Sequence, residues 1–292
     1  MSTPQRITKA IIPAAGFGTR MLPAAKAVPK ELLPVLDRPT IQYVVEEAAD
    51  AGLDDVLLIT SRDKRAIEDH FDRAFELEMR LAAGKKDALL ASVTKLASRI
   101  QVHAVRQAEQ LGLGHAVLQA EHHVGDSPCL CLLGDTIFSG SPAPATQLVE
   151  AHAKLGGTII ALEEVPAEKV DRYGIAGGMM IEPGVMKITD LIEKPCVDLA
   201  PSRFAICARY VLAPQVFDFL KRTPRGKGNE IQLTDALKLM LQAGEPMHGV
   251  VLKARRHDIG NPVDWLATNV LFASRDGAMW SKLAPLIKSL VS

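Results

Sequence analysis

Apolar positions in the first half of the chain alternate between short continuous runs and a helical spacing. The runs predict buried strands, and the spacing of three and four residues predicts amphipathic helices. The predicted strands cover residues 7–12, 54–60, 100–105, 129–133 and 158–162, and the predicted helices cover 40–51, 62–83, 115–123 and 148–155. Strands that alternate with helices in this way favour a mostly parallel sheet with helices on both faces.

From about residue 166 the pattern changes to short strand-like pieces separated by turns. The predicted strands are 173–176, 179–181, 185–192, 205–212 and 247–254, and the predicted helices are 215–221, 231–242, 262–274 and 279–290. No polar linker separates the two halves. The sequence therefore predicts one α/β domain over residues 1–292, with a mixed, mostly parallel sheet and a smaller appended α+β region.

Composition narrows the class of protein. Hydrophobic residues make up 48% of the chain and charged residues 23%, which is typical of a globular protein. The net charge is 0, which disfavours a nucleic-acid coat or a polybasic membrane binder. No apolar run reaches the roughly 18 residues of a transmembrane helix, and the first residues do not resemble a signal peptide. The 4 cysteines are few, which indicates a reducing, cytoplasmic setting.

The longest interruption of the pattern follows the first predicted strand. Residues 13–39 contain five prolines and show no clear periodicity, and a loop of this length inside a compact domain is usually functional. The loop also begins at the carboxyl end of a strand, where open α/β sheets bind their ligands. We therefore expect this loop to form part of a binding site.

The same loop has the composition of a phosphate site. Gly16 and Gly18 allow the backbone to approach a ligand closely, and Arg20 supplies a forked donor. Three cations against one acid give residues 13–36 a local charge of +2. Met21 stands where the G-x-G-x-x-G fingerprint needs its third glycine, and no G-x-x-x-x-G-K-[ST] occurs, so neither known phosphate loop is present. A flexible loop with solvated charges is the alternative interpretation.

Two aspartates that follow predicted strands are candidates for binding Mg²⁺. Asp135 comes directly after the apolar run 129–133, and Asp258 follows the strand predicted at 247–254. Mg²⁺ in proteins takes one or two carboxylates and completes its shell with phosphates and water. A capped turn is the alternative role for each aspartate.

Two further segments carry candidate substrate-binding groups. Glu193-Lys194-Pro195 closes a strand-like run, and Lys194 could neutralise a phosphate there, although a surface turn has the same composition. Gln107 and Gly112 follow the strand predicted at 100–105, where amide and backbone groups can read the polar edge of a base. A helix entry is the alternative interpretation of that segment.

Taken in order, these segments resemble the bacterial UTP–glucose-1-phosphate uridylyltransferases, a branch of the sugar nucleotidyltransferases. The stretches that carry the resemblance, within about residues 11–273, are IPAAGFGTR (12–20), KAVPKELLP (26–34), IQYVVEEA (41–48), KRAIEDHF (64–71), LGLGHAV (111–117), EKP (193–195) and EIQLTDA (230–236). The resemblance implies a Rossmann-like nucleotidyltransferase fold. It also implies a Mg²⁺-dependent conversion of UTP and glucose 1-phosphate into UDP-glucose and pyrophosphate, by a protein that forms dimers or tetramers.

The resemblance also implies which parts of the chain bind each substrate. It divides the chain into a nucleotide-binding part (1–165), a sugar-phosphate-binding part (166–260) and C-terminal helices (261–292). The residues that it implies are, for the nucleotide, Ala14, Ala15, Gly16, Gly18 and Thr19, with uracil read by Gln107 and Gly112; for the triphosphate and the leaving pyrophosphate, Arg20 and Lys30; for Mg²⁺, Asp135 and Asp258; and for the sugar phosphate, Gly174, Glu193 and Lys194. The catalytic candidates among them are Arg20, Lys30, Asp135 and Lys194.

The chemistry of that reaction agrees with these residue types. A sugar-phosphate oxygen must attack the α-phosphorus in line with the departing pyrophosphate, and both reactants are anions. Charge neutralisation and alignment should therefore dominate catalysis. The attacking phosphate is already ionised at neutral pH, so the reaction needs cations more than it needs a strong general base.

A few positions depart from the resemblance. Thr136 stands where a second acidic residue is common, Ala108 where lysine is common, and Ala208 where glycine is common. Arg203 and Phe204 stand where Asn-Leu is common. Because Thr136 and Arg203 are expected near the sugar, another sugar 1-phosphate stays open as a substrate. So does dTTP in place of UTP, because the two nucleotides differ only by a methyl group and a 2′-hydroxyl, which a single sequence does not distinguish. A non-catalytic UDP-sugar-binding protein is the alternative from a different functional class.

Overall fold

The structure is a computed structural model that describes residues 4–291. Its strands are β1 (Lys9–Pro13), β2 (Pro34–Val35), β3 (Arg38–Pro39), β4 (Asp55–Thr60), β5 (Gln101–Arg106), β6 (Cys129–Leu132), β7 (Thr136–Ser139), β8 (Thr158–Glu164), β9 (Gly174–Glu182), β10 (Val185–Glu193), β11 (Phe204–Leu212), β12 (Met247–Val251) and β13 (Arg255–Asp258). Its helices are α1 (Thr40–Asp50), α2 (Arg65–Phe71), α3 (Phe75–Ala83), α4 (Asp87–Thr94), α5 (Leu113–Leu118), α6 (Glu121–Val124), α7 (Pro144–Leu155), α8 (Val216–Arg222), α9 (Leu233–Gln242), α10 (Pro262–Arg275) and α11 (Gly277–Val291).

A 9-stranded sheet in the order β5-β4-β1-β6-β11-β8-β12-β10-β9 organises the fold. Strands β1, β4, β5 and β6 pair in parallel, as do β8 and β12, while β10 and β11 run against their neighbours. The prediction of a mixed, mostly parallel sheet is therefore confirmed. Strand β9 also pairs with β11, so the last five strands in this order form a closed set of pairings. The start of β9 therefore lies next to β11, near the centre of the sheet.

Both faces of the sheet are buried. Alternate residues of β1 and β4 contribute to different core clusters, so that Ile11 and Leu57 face one layer while Ile12 and Leu58 face the other. One layer packs against α5, α8 and α9, and the other packs against α1, α7 and α10. The continuous apolar runs of the sequence reflect this burial on two sides.

The long helix predicted at 62–83 is wrong, because the structure divides this segment. A 3₁₀ turn leads into α2, the backbone of Asp72 is extended, and α3 begins only at Phe75. The Arg73 guanidinium pairs with Glu78 across the first turn of α3. No glycine or proline marks this break, so the helical periodicity runs through it in the sequence. The sequence analysis also missed α4.

The strand predicted at 247–254 is wrong in its second half. The structure ends β12 at Val251 and forms a separate strand, β13, which pairs with β7 in a two-stranded sheet. The sequence analysis missed β7 as well. In the same region, the strands predicted at 173–176 and 179–181 form one strand, β9, and the helix predicted at 115–123 is two short helices, α5 and α6.

The loop after β1 is held in place by a helix from the far end of the chain. Residues 14–39 contain short 3₁₀ turns and the hairpin of β2 and β3. The indole of Trp265 in α10 donates to the carbonyl of Pro34 at 2.9 Å, and the Asn269 side chain accepts from the Leu36 amide at 2.9 Å. Within residues 4–291, no helix is both long enough and apolar enough to cross a membrane.

Candidate active site

The glycine loop turns directly over a buried lysine. Ala14 and Ala15, which directly follow β1, are both buried. The Ala14 amide donates to the Ile59 carbonyl of β4 at 2.8 Å. Gly18 has a φ of +67°, and a Cβ at this position would lie 3.2 Å from the Lys30 side chain. Glycine therefore meets both the backbone conformation and the close approach that this turn requires.

Lys30 contacts the first candidate metal ligand. Its ammonium group forms a hydrogen-bonded ion pair with Asp135, and the two side chains are 13% and 21% exposed. Burial alone would lower the pKa of Lys30, but Asp135 and Glu31 together raise it above its ordinary value. Burial would raise the pKa of Asp135, whereas Lys30 and Arg20 hold it below its ordinary value. Both groups are therefore charged at neutral pH.

A second ion pair lies behind the first and is more deeply buried. Lys64 donates to both carboxylate oxygens of Glu31 at 2.9 and 2.8 Å, and to the Ala14 carbonyl at 2.6 Å. Burial raises the pKa of Glu31 and lowers the pKa of Lys64. The Lys64 side chain thus ties the start of the glycine loop to the residue next to Lys30.

The small sheet of β7 and β13 brings the two candidate metal ligands together. Asp258 pairs with Thr136 in the register of this sheet, and the Ile259 amide donates to the Asp135 carbonyl at 3.0 Å. One carboxylate oxygen of Asp258 accepts from the Gly260 amide at 2.8 Å. The other lies 3.9 Å from the Arg20 guanidinium.

These residues fit a magnesium ion that is shared with a substrate. Asp135 and Asp258 are hard oxygen donors at the ends of adjoining segments, and Thr136 places its hydroxyl 3.4 Å from the Asp135 carboxylate. Among residues 4–291 no cluster of three or more His, Cys, Asp or Glu side chains could hold a metal alone. Two carboxylates suffice for Mg²⁺ when phosphate oxygens complete its shell.

The residues predicted for the sugar phosphate meet at the paired ends of β9 and β10. Gly174 and Glu193 are register partners, and a Cβ on Gly174 would lie 2.9 Å from the Thr234 hydroxyl. Glu193 accepts from that hydroxyl at 2.7 Å and pairs with the Lys194 ammonium group at 3.0 Å. Lys194 has a φ of +47° and remains 39% exposed.

The residues predicted for the base lie beyond the end of β5. The Gln107 amide group is buried, and it donates to the Gly112 carbonyl at 3.1 Å. Gly112 has a φ of +104°, and a Cβ there would lie 2.8 Å from the Ile231 carbonyl oxygen. The stretches 111–117 and 230–236 are joined by further backbone hydrogen bonds, such as that from the Ile231 amide to the Leu111 carbonyl at 2.7 Å.

Contacts between distant segments connect the metal-ligand, sugar-phosphate and base residues into one continuous rim. Arg256, two residues before Asp258, stacks on the ring of Tyr173 at 4.5 Å, and Tyr173 precedes Gly174. Thr234 in the first turn of α9 then links Glu193 to the segment that packs on Gly112. The structure therefore brings the predicted metal, sugar-phosphate and base residues to this rim, with Lys30 and Arg20 beside the two aspartates. Gly16 and Thr19 lie in the loop between Ala14 and Arg20. Arg203, which was also expected near the sugar, pairs with Glu164 of β8, and both side chains are more than half exposed.

One serine–histidine pair near the rim faces away from it. Ser139 and His257 are hydrogen-bonded at 2.7 Å, and the His257 ring packs edge-on against Phe272 of α10. Successive residues of a strand point to opposite faces, so His257 and Asp258 project in opposite directions. Burial and two nearby arginines lower the pKa of His257 to about 4, which keeps the ring neutral.

Comparison with known proteins decides the family. The family model described as nucleotidyl transferase matches residues 9–274. The chain belongs to the nucleotidyl transferase family. It is 43% identical over 287 residues to the UTP–glucose-1-phosphate uridylyltransferase YngB of Bacillus subtilis, which covers 98% of this chain and 96% of that protein. It is also 43% identical to a UTP–glucose-1-phosphate uridylyltransferase of Staphylococcus haemolyticus, with 98% of this chain and 99% of that protein covered.

Solved structures of nucleotidyl transferases share the fold. A UTP-bound UDP-glucose pyrophosphorylase from Acinetobacter baumannii superposes with a TM-score of 0.89 at 36% identity, covering 97% of this chain and 99% of that one. A UDP-glucose pyrophosphorylase complexed with UDP-glucose gives a TM-score of 0.85 at 36% identity, covering 92% and 99%. The predicted Rossmann-like nucleotidyltransferase fold is therefore confirmed.

Three side chains of this candidate site were missed as site residues in the sequence. Lys64 and Thr234 lie in stretches that carry the family resemblance, but neither stands in a pattern that indicates chemistry. Arg256 is one of two adjacent arginines in a strand that was not predicted as separate. Each contacts the rim through pairings that are distant in sequence, and no local signal could have assigned it.

Proposed function

We propose that the protein transfers a uridylyl group from UTP to glucose 1-phosphate, forming UDP-glucose and pyrophosphate. One observation carries the proposal. The Lys30–Asp135 pair and the Glu193–Lys194 pair lie on a single rim, in a chain that aligns over 98% of its length with a relative named for this activity. A rim with cations at two separate positions suits a reaction between two anionic phosphates.

The nucleotide is proposed to lie along the glycine loop. The small residues Ala14, Ala15, Gly16, Gly18 and Thr19 would let backbone amides approach the phosphates, and Arg20 and Lys30 would hold the triphosphate. The uracil would lie against Gln107 and Gly112. The Gln107 amide group already donates to the Gly112 carbonyl, which fixes its orientation before any base arrives.

Magnesium is proposed as the cofactor, held by Asp135 and Asp258. When bound, it would neutralise charge on the phosphate oxygens. Because Lys30 keeps Asp135 ionised, the carboxylate needs no deprotonation before it binds a cation. Lys30 would then stand next to both the metal ligand and the triphosphate, where the charge of the departing pyrophosphate develops.

The sugar phosphate is proposed to bind between Gly174 and the Glu193–Lys194 turn. Glu193 is oriented by Thr234 and would accept hydrogen bonds from sugar hydroxyls, while Lys194 would neutralise the phosphate. A phosphate oxygen of the sugar would then bond to the α-phosphorus of UTP as the bond to the bridging pyrophosphate oxygen breaks. No proton has to move in this step, so the residues act by alignment and by charge.

Pyrophosphate release from UTP and glucose 1-phosphate tests the proposal directly. We expect release with Mg²⁺ and none with EDTA. Folded protein that binds UDP-glucose but releases no pyrophosphate would instead indicate a non-catalytic binding protein. The same assay with dTTP, galactose 1-phosphate and N-acetylglucosamine 1-phosphate measures specificity, and the highest kcat/KM is expected for UTP with glucose 1-phosphate.

We also propose a cytoplasmic location and self-association as a dimer or tetramer. All four cysteines are free, and three of them are buried, which suits a reducing compartment. Exposed apolar side chains on β9, among them Met179 at 66% exposure, are candidates for a subunit contact. Light scattering at several protein concentrations tests the assembly.

A further inference from the structure

A fully buried arginine lies directly behind the candidate metal ligands. Arg209 of β11 has a side chain that is 0% exposed, and its guanidinium pairs with Glu47 of α1, which is 10% exposed. The Nη2 atom lies 2.7 Å from one Glu47 oxygen, and Nε lies 3.1 Å from the other. The guanidinium also lies 4.8 Å from the centre of the Phe138 ring. A charge this deep has no solvent to stabilise it, so its partners must do so.

All five N–H groups of the guanidinium have acceptors. Two of them serve Glu47, and the others donate to backbone carbonyls. Nη2 donates to the Thr136 carbonyl at 2.8 Å, and Nη1 donates to the Ala208 carbonyl at 3.1 Å and to the Leu133 carbonyl at 3.4 Å. Lysine has no planar fork and could not reach these positions together.

Two of these carbonyls bracket Asp135. Leu133 precedes it by two residues and Thr136 follows it by one, so a single buried group holds the backbone on both sides of the carboxylate. The Asp135 carbonyl in turn accepts from the Ile259 amide at 3.0 Å, which adjoins Asp258. A shift of this turn would therefore move both candidate metal ligands.

Stability alone does not account for such a pair. Replacing a buried ion pair with uncharged side chains of similar size is often neutral or stabilising, because the desolvation of both charges offsets their attraction. Nor does Arg209 reach the rim, since its side chain is inaccessible to solvent. What it does contact is the turn that carries Asp135.

We propose that Arg209 is a positioning residue, which together with Glu47 fixes the 133–136 turn in the geometry that the two aspartates need to bind a divalent cation. The inference rests on the proposed function, because it assigns the metal to Asp135 and Asp258. It goes beyond that function by extending the metal site to a buried pair on α1 and β11 that never touches substrate.

Binding of Mn²⁺ with UTP present, followed by electron paramagnetic resonance, tests the inference without turnover. In the double variant Glu47→Gln/Arg209→Met the core is neutral, but the carbonyls of Leu133 and Thr136 lose their donor. We expect the Kd for Mn²⁺ to rise by about tenfold to a hundredfold, the range for residues that orient metal ligands. The Kd for UTP in EDTA should change by less than about threefold, because the glycine loop is untouched.

Two further variants separate positioning from a general loss of stability. Arg209→Lys keeps the charge opposite Glu47, so the core stays paired, but it lacks the fork, and it should also raise the Kd for Mn²⁺. Val211→Ala removes buried apolar volume from the same strand and leaves all five donors in place. It should lower Tm without changing the Kd for Mn²⁺.

The wild-type and variant measurements answer different questions. Wild-type protein that binds no Mn²⁺ in the presence of UTP would overturn the metal assignment, and the inference with it. If wild-type protein binds Mn²⁺, and Arg209→Lys and the double variant both bind it with a Kd within about twofold of the wild-type value, the inference is wrong but the metal assignment stands. An equal rise in Kd for Val211→Ala would also overturn it, because strand stability and not the fork would then control the metal site.

Discussion

The two sides of the rim are built differently. On the side of the glycine loop, the cations Lys30 and Lys64 are 13% and 8% exposed, and each is already paired with a carboxylate. On the side of the Glu193–Lys194 turn, Lys194 is also paired, with Glu193, but its side chain is 39% exposed. A buried, paired charge cannot reorient cheaply, whereas an exposed lysine is screened and mobile. Arg20, at 64% exposure, is the exception on the loop side. The contrast between the buried pairs and Lys194 indicates a rigid half for the triphosphate and a more adaptable half for the sugar phosphate.

The strongest test of the rigid half is Asp135→Ala. The variant removes the partner of Lys30 and one of two candidate metal ligands, so we expect kcat/KM to fall by about 10⁴-fold, or about 5 kcal/mol of transition-state stabilisation. Steady-state pyrophosphate release measures the loss, and circular dichroism checks the fold. The matched control is Asp126→Ala, which removes an exposed acid just before the start of β6, at the other end of the strand from Asp135. Retained Mg²⁺-dependent activity in Asp135→Ala would remove the metal role.

A second test asks whether the rigid half depends on its buried pair. Lys64→Met leaves Glu31 buried without its hydrogen-bonded ion-pair partner, and we expect a loss of about 3 kcal/mol in the free energy of unfolding by urea. Burial already raises the pKa of Glu31, and the loss of Lys64 should raise it further. The folded variant then protonates Glu31 at a pH where the unfolded chain is still ionised, so the loss of stability grows as the pH rises above the ordinary pKa. The deficit should therefore be smaller at about pH 5 than at about pH 8.

The matched control for that test is Lys64→Met/Glu31→Gln, in which no unpaired charge remains. This double variant should recover most of the lost stability. If it is no more stable than the single variant, the unpaired charge is not the cause, and the lost contact with the Ala14 carbonyl becomes the better explanation.

On the adaptable half, Lys194→Ala should act on one substrate only. We expect the KM for glucose 1-phosphate to rise by about tenfold to a hundredfold, because an exposed cation contributes about 1 to 3 kcal/mol to phosphate binding. The KM for UTP should change little. The control is Lys187→Ala, which removes an exposed lysine of β10, the strand that ends directly before Lys194. Equal losses for both substrates would contradict the division of the rim into two halves.

The smallest expected effect concerns the strand that lies between the halves. Ala208 has a φ of +66°, in a bulge of β11 where the pairing with β8 shifts register. Ala208→Gly relieves this strain but raises the entropy of the unfolded chain, so we expect a net gain of about 0.5 kcal/mol. Urea unfolding measures it. Ala205→Gly, on the same strand at ordinary φ, should instead destabilise by about 1 kcal/mol.

The fold was largely predictable because its signal is local. Continuous apolar runs marked β1, β4 and β6, and helical spacing marked α1 and α9, since burial on two faces or on one face leaves a direct pattern in sequence. The break at Asp72 left no such pattern. Neither did β7 and β13, two short strands whose pairing joins residues far apart in the chain.

The candidate site was predictable only as separate pieces. The glycine loop and the Glu193–Lys194 turn were recognisable from residue types and from the family resemblance. What joins them is not local. Thr234 and Arg256 act through contacts between distant segments, and the buried Arg209 resembles any other arginine in a strand until its acceptors are known. Sequence periodicity carries no information about such pairings.

The anchoring of the glycine loop by α10 has a consequence for how the protein is made. Trp265 and Pro34 are 231 positions apart, so this anchor cannot form until nearly all of residues 9–274, the part that matches the family model, has left the ribosome. During synthesis, β1 and its parallel neighbours can assemble while the loop still lacks its support. A nascent chain could thus pair β1 with β4, β5 and β6 before α10 anchors its glycine loop, which separates the onset of folding from the onset of activity.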